Sequence, residues 1–205
     1  MLKLMLNNLF AVEKSPRLLT ADCWLSNMNI AVFCSSSNHI ADHYRQSAFQ
    51  LGELIAEDGN ALVYGGATGG LMDSVAEGAK SKNGNIIGII PQAVIKMKRQ
   101  SAIPTQLIVV DTMSERKERM KSISDVFVVL PGSYGTLDEM LDIIASGVVG
   151  EHKKPLILVN EGGFYELFLS QINQMRMEHF IPTEEKYKPI IANSITRCME
   201  LIRSI

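Results

Sequence analysis

With 205 residues, 46% of them hydrophobic and 20% charged, the chain is long enough for one domain with a substantial core. A net charge of -2 gives no compositional support for a nucleic-acid-binding surface. Cys23, Cys34 and Cys198 lie far apart without CxxC spacing, and the four histidines are not read as metal ligands. The cysteines therefore read as free thiols of a reducing compartment, not as disulfides or a zinc site.

Lys3 and Leu4-Met5-Leu6 open like a signal peptide, but Asn7, Asn8, Glu13 and Lys14 interrupt the run before any cleavage site. No later apolar run approaches the ~20 residues of a membrane helix. A fold signal begins at Asn29. Residues 1–28 are accordingly read as an N-terminal appendage, or as an upstream start choice with Met28 the alternative start. Residues 29–205 are read as the domain, and the location expected is cytoplasmic.

From Asn29 short apolar runs alternate with helical patterns. Strands are expected at Asn29–Cys34, Ala61–Tyr64, Asn85–Ile90, Gln106–Val110, Asp125–Leu130 and Leu156–Val159, with a short apolar segment at Ile190–Ile191. Helices are expected at Ala41–Glu57, Leu71–Lys82, Ser114–Ser122, Leu137–Ile144, Phe164–His179 and Ser194–Ile202. Residues 96–99, Lys-Met-Lys-Arg, read as a solvated basic loop, with a lid over an anionic substrate as the alternative. The strands are continuous apolar runs, as a sheet buried on both faces requires. The fold class is therefore α/β, a doubly wound parallel sheet with helices on both faces. Ligands of such sheets bind beyond the carboxyl ends of the strands, where the Gly-rich loops 65–70 and 132–135 fall.

In Pro131-Gly132-Ser133-Tyr134-Gly135-Thr136 the glycines let the backbone turn and approach a ligand closely. The helix that follows presents unpaired N–H groups and the positive end of its dipole, an anion site suited to phosphate. The loop reads equally well as a plain turn with Thr136 as N-cap. Thr136-Leu137-Asp138-Glu139 then fits a capping box, which would explain Glu139 without function. The partner that argues otherwise is Arg116. With Ser114 as N-cap, Arg116 and Lys117 fall in the first helical turn, where cations oppose the dipole unless an anion is to be bound. Gly65-Gly66-Ala67 fails the dinucleotide pattern at Ala67, and Ile90-Pro91-Gln92 supplies no ribose-binding acid. A second backbone cradle for sugar or phosphate is the better reading of that loop. His39, His43 and His179 read as surface residues, and His152 as a candidate at the cleft edge.

Together these residues resemble the LONELY GUY (LOG) family, phosphoribohydrolases that release cytokinin bases from their riboside 5′-monophosphates. The likeness runs from about Met28 to the C-terminus. It rests on residues 131–139 (PGSYGTLDE) against the family's PGGxGTxxE, and on residues 113–117 (MSERK) against a MxxRK element. Val63-Tyr64-Gly65-Gly66, Gly70-Leu71-Met72 and Lys154-Pro155 support it. Ser35, Ala67, Asp73 and Ser133 depart from the family's usual glycines.

The resemblance implies a Rossmann-like, nucleotide-binding catalytic homodimer that hydrolyses an N-glycosidic bond with neither metal nor cofactor. Arg116 and Glu139 would be the catalytic pair. Lys117, Gly132, Ser133, Tyr134, Gly135 and Thr136 would hold the nucleotide, helped by Gly65, Gly66 and Met113. The substrates expected are AMP or N6-substituted AMP; no nucleic acid or membrane partner is expected. The alternative is a non-catalytic nucleotide-binding or regulatory protein of the same fold. The lysine decarboxylase label sometimes attached to PGGxGTxxE proteins is rejected, since no lysine is identified that would form a Schiff base.

Overall fold

The computed structural model describes residues 27–205, so the appendage assigned to 1–28 lies outside the described residues except for Asn27 and Met28. Seven strands form one parallel sheet: β1 Asn29–Phe33, β2 Ala61–Tyr64, β3 Asn85–Pro91, β4 Gln106–Val110, β5 Val126–Val129, β6 Leu156–Val159 and β7 Ile190–Ala192. The helices are α1 Asp42–Glu57, α2 Gly70–Ser81, α3 Gln92–Lys96, α4 Met113–Ile123, α5 Tyr134–Val149, α6 Glu166–Met177 and α7 Ile195–Arg203.

The strand order is β4-β3-β2-β1-β5-β6-β7. The chain builds outward from β1 on one side, then crosses through α4 to build outward on the other. The order therefore reverses between β1 and β5, which stay paired to their last residues, so the connections leaving their carboxyl ends run in opposite directions and open a crevice between them.

Alternate side chains of each central strand enter opposite cores, which is why the strands read as unbroken apolar runs. Ile30, Val32, Leu62, Tyr64 and Val128 pack with side chains of α1, α2 and α7. Ala31, Phe33, Val63, Phe127 and Val129 pack with Met120 of α4, Met140 and Ile143 of α5 and Phe168 of α6. The expected doubly wound architecture is thus present, with Rossmann-like topology.

Four local expectations are corrected. Residues 92–96 are helical: Pro91 pairs with Val110 as the last residue of β3 and also N-caps α3. The segment 190–192 is a paired edge strand. Helix α4 begins at Met113 with Thr112, not Ser114, as N-cap; Thr112 Oγ1 accepts from the Glu115 N–H at 3.1 Å, and the Glu115 carboxylate accepts from the Asp111 N–H at 2.7 Å. Arg116 and Lys117 consequently sit at the fourth and fifth helical positions. Helix α5 begins three residues before Leu137, with Ser133 at its N-cap.

Candidate functional site

The early start of α5 decides what Glu139 does. With Ser133 as N-cap, Thr136 is the third helical residue and Glu139 the sixth, too far along for a capping box. Gly132 makes this start possible. A Cβ there would lie 2.0 Å from Thr136 Oγ1, so the loop closes onto its own helix only with glycine at this position. The Leu137 N–H donates to Ser133 O at 3.0 Å as the helix's first-turn bond. The N–H groups of Tyr134, Gly135 and Thr136 precede it, at the N-terminus of a 16-residue helix, and have no intrahelical acceptor.

Glu139 is instead buried, 3% exposed, and its carboxylate accepts a hydrogen bond from Nη2 of Arg116, itself 5% exposed. These residues come from α4 and α5, the helices preceding and following β5. Burial pushes the Glu139 carboxyl above the usual carboxylate range, while the Arg116 charge and hydrogen bond pull against it. Arg116 Nε is also buried and has no hydrogen-bond partner among the described residues. A buried donor without a partner carries a desolvation penalty that a ligand can remove.

The pair belongs to the wall of a cavity of about 170 Å³, together with Cys34, Ser35, Ser36, Ala67, Met72, Val94, Arg99, Met113, Ser133, Gly135 and Thr136. Its floor is buried and its rim, at Arg99, Ser133 and Gly135, is exposed. A second, largely apolar cavity of about 250 Å³ adjoins it, sharing Ser35 and Ser133 and walled by Ile40, Tyr44, Leu71, Pro131, Gly132 and Phe164.

Most of the residues singled out in the sequence thus converge. Arg116, Glu139, Met113, Ser133, Gly135 and Thr136 share one cavity, and Gly132 lines its neighbour. Gly65 lies against the arginine: a Cβ there would stand 3.1 Å from Arg116 Nη1. Gly66 has a φ of 66° and accepts from the Ser101 N–H, fixing its loop from behind the cavity. Tyr134 directs its side chain to solvent, 90% exposed, and does not line the cavity.

Lys117 departs from expectation. Its Nζ bonds Asp138 at 2.9 Å and lies 3.6 Å from Asp142, and it is not part of the cavity wall. His152 is not a cleft residue either. It is packed between Phe127 and Tyr187, with Nε2 3.0 Å from Ile143 O.

Cys34, Ser36, Met72 and Val94 escaped the sequence reading. The rule placing ligands at the carboxyl ends of strands applies equally to β1 and was signal enough for Cys34 and Ser36. Met72 and Val94 reach the cavity from helices, which no local pattern indicates. Among the described residues the cavity wall contains no lysine that could form a Schiff base.

Residues 72–203 match the family model described as "possible lysine decarboxylase". A probable cytokinin riboside 5′-monophosphate phosphoribohydrolase of Oryza sativa subsp. japonica is 37% identical over 158 residues, covering 77% of this chain and 70% of that one. The chain belongs to the LONELY GUY family. Another family relative, the cytokinin riboside 5′-monophosphate phosphoribohydrolase of Rhodococcoides fascians, is 33% identical over 86% of this chain and 89% of its own. The same fold is seen in the molybdenum cofactor binding protein of Rippkaea orientalis, at 28% identity and a TM-score of 0.67, over 88% of this chain and 98% of that one. The decarboxylase wording of the family model and the lysine-free cavity of this LONELY GUY protein do not agree.

Proposed function

We propose that this protein hydrolyses the N-glycosidic bond of a purine nucleoside 5′-monophosphate, AMP or an N6-substituted AMP such as a cytokinin nucleotide, giving free base and ribose 5-phosphate. The observation that carries the proposal is the buried Arg116–Glu139 pair facing the same cavity as the open N-terminus of α5. Breaking the bond between base and ribose builds positive charge on the sugar. A carboxylate close to that carbon, in a place with little water, stabilises the transition state more than the ground state. Glu139 fills this role and orients or deprotonates the attacking water. Arg116 holds the carboxylate by one nitrogen and offers its buried Nε–H to the substrate. The amides of Tyr134, Gly135 and Thr136 take the phosphate, so that binding far from the breaking bond supplies positioning.

The names borne by the relatives support the reaction, and the adjoining apolar cavity supports an apolar substituent on the base. A homodimer is part of the same reading, supported by the exposed apolar side chains Leu141, Val148 and Val149 along α5. So is a cytoplasmic protein without nucleic-acid partners, supported by the free thiols of Cys34 and Cys198 and the charge of -2. Among the described residues no helix is long and apolar enough to cross a membrane.

The test is incubation with AMP and isopentenyl-AMP, followed by chromatography of the free base. Release by the wild type, independent of added phosphate and absent in Glu139→Ala, supports the hydrolase. Absolute dependence on phosphate would make it a phosphorylase. Tight binding with no release would favour the rival reading, a carrier or sensor, to which the likeness to a cofactor-binding protein lends weight.

A further inference from the structure

A nucleoside monophosphate brings close to two negative charges, and the cations named so far do not meet them. Arg116 is compensated by Glu139 at the cavity floor, and Lys117 is engaged by Asp138 and Asp142. Among the described residues, the one remaining cationic side chain in the cavity wall is Arg99, at the exposed rim with Ser133 and Gly135 of the α5 N-terminus.

Its placement is built into the backbone. Helix α3 ends with Lys98 in the left-handed region, φ 58°. The Lys98 N–H donates to Ile95 O at 2.8 Å and the Arg99 N–H to Val94 O at 3.3 Å, the paired bonds of a Schellman turn. A lysine stands where glycine is favoured, at some conformational cost. The chain then runs beside the glycine loop: the Thr68 N–H donates to Arg99 O at 2.8 Å, Ala67 pairs with Gln100, and the Ser101 N–H donates to Gly66 O at 2.9 Å.

The side chain is held as well. Arg99 Nη2 donates to Ser36 O at 3.2 Å and to Thr68 O at 3.0 Å. That uses both hydrogens of one nitrogen. Nε–H and the two Nη1 hydrogens have no partner among the described residues, although the guanidinium is already oriented. An arginine fixed in advance gives up little freedom on binding an anion.

We propose that Arg99 is a further substrate-binding residue, the cation that takes the 5′-phosphate at the cavity rim opposite the N-terminus of α5. The inference rests on the nucleotide reading above and deepens it: it assigns the phosphate to the rim and the anomeric carbon to the floor beside Glu139. Arg99 thus fills the part that the resemblance assigned to Lys117.

The experiment is calorimetric titration of the intact protein with AMP, ribose 5-phosphate and adenosine, for wild type, Arg99→Ala and Arg99→Lys. Loss of a charge-assisted contact predicts AMP and ribose 5-phosphate binding weakened by about tenfold to a hundredfold in Arg99→Ala. Adenosine binding stays unchanged, and Arg99→Lys recovers part of the loss. In turnover, KM for AMP rises and kcat changes little. Equal binding of AMP by Arg99→Ala and wild type overturns the inference while leaving the hydrolase reading standing. So does an adenosine affinity that falls as far as that for AMP, since Arg99 would then only brace the two loops. If wild type binds neither AMP nor ribose 5-phosphate, the nucleotide reading fails and this inference with it.

Discussion

Glu139→Ala leaves the guanidinium of Arg116, 5% exposed, without its carboxylate. Breaking one partner of a buried pair costs about 3–5 kcal/mol, because the orphaned charge stays desolvated. The cavity beside Arg116 admits some water, which places the expected loss near the lower end, about 3 kcal/mol. Arg116→Met costs less at low pH, since the lone Glu139 carboxyl can take a proton, and more near neutrality. The double variant Arg116→Met/Glu139→Met removes both charges at nearly conserved volume and should lie within about 1 kcal/mol of wild type, or above it. Urea unfolding followed by circular dichroism at pH 7 measures all four proteins, and the cycle should give a coupling of about 2 kcal/mol or more. All three variants lose turnover, so stability and activity separate in the double variant. Singles that cost under about 1 kcal/mol each and simply add would refute the buried, mutually dependent pair.

Acidity provides a second check. Because burial holds the Glu139 carboxyl above its ordinary range and the proposed hydrolysis needs the carboxylate, kcat/KM should fall as pH drops through that raised value. The stability effect has the opposite sign: a folded value above the unfolded one favours the protonated fold. That contribution is full below the unfolded value and is lost as pH rises through the folded one, and Glu139→Gln should abolish it. Gly132→Ala forces a Cβ to within 2.0 Å of Thr136 Oγ1 and should destabilise by about 1–3 kcal/mol in thermal melts, with weakened AMP binding. Lys117→Ala disrupts only a partly exposed ion pair and should change KM for AMP less than about threefold in steady-state assays; a rise above about tenfold would return Lys117 to the phosphate.

The sheet was legible because a strand buried on both faces has no polar alternation to confuse with a helix, as in the Val126–Val129 run. The site was legible to the level of which loops meet, since strands followed directly by Gly-rich turns must open on one edge. Local capping rules were less dependable. The chain contains two T-x-x-E segments at helix starts, Thr112–Glu115 and Thr136–Glu139, and only the first acts as a cap. The second is displaced into the helix because Gly132 lets α5 begin at Tyr134, a closure onto Thr136 that spacing alone does not reveal. The part proposed for Arg99 was only half visible, as the alternative reading of residues 96–99 as a lid over an anionic substrate. Which residue of that run reaches the cavity was not legible, because it is set by the left-handed turn at Lys98 and the pairing with the glycine loop.

The crystal structure of a Glu139→Gln variant soaked with AMP tests the central claim most directly. The account predicts the phosphate on the amides of residues 134–136 with Arg99 across from it, and the anomeric carbon within about 4 Å of the residue 139 side chain, with room for one water. A nucleotide seated away from α5, or with its sugar facing solvent while residue 139 contacts only Arg116, would contradict it.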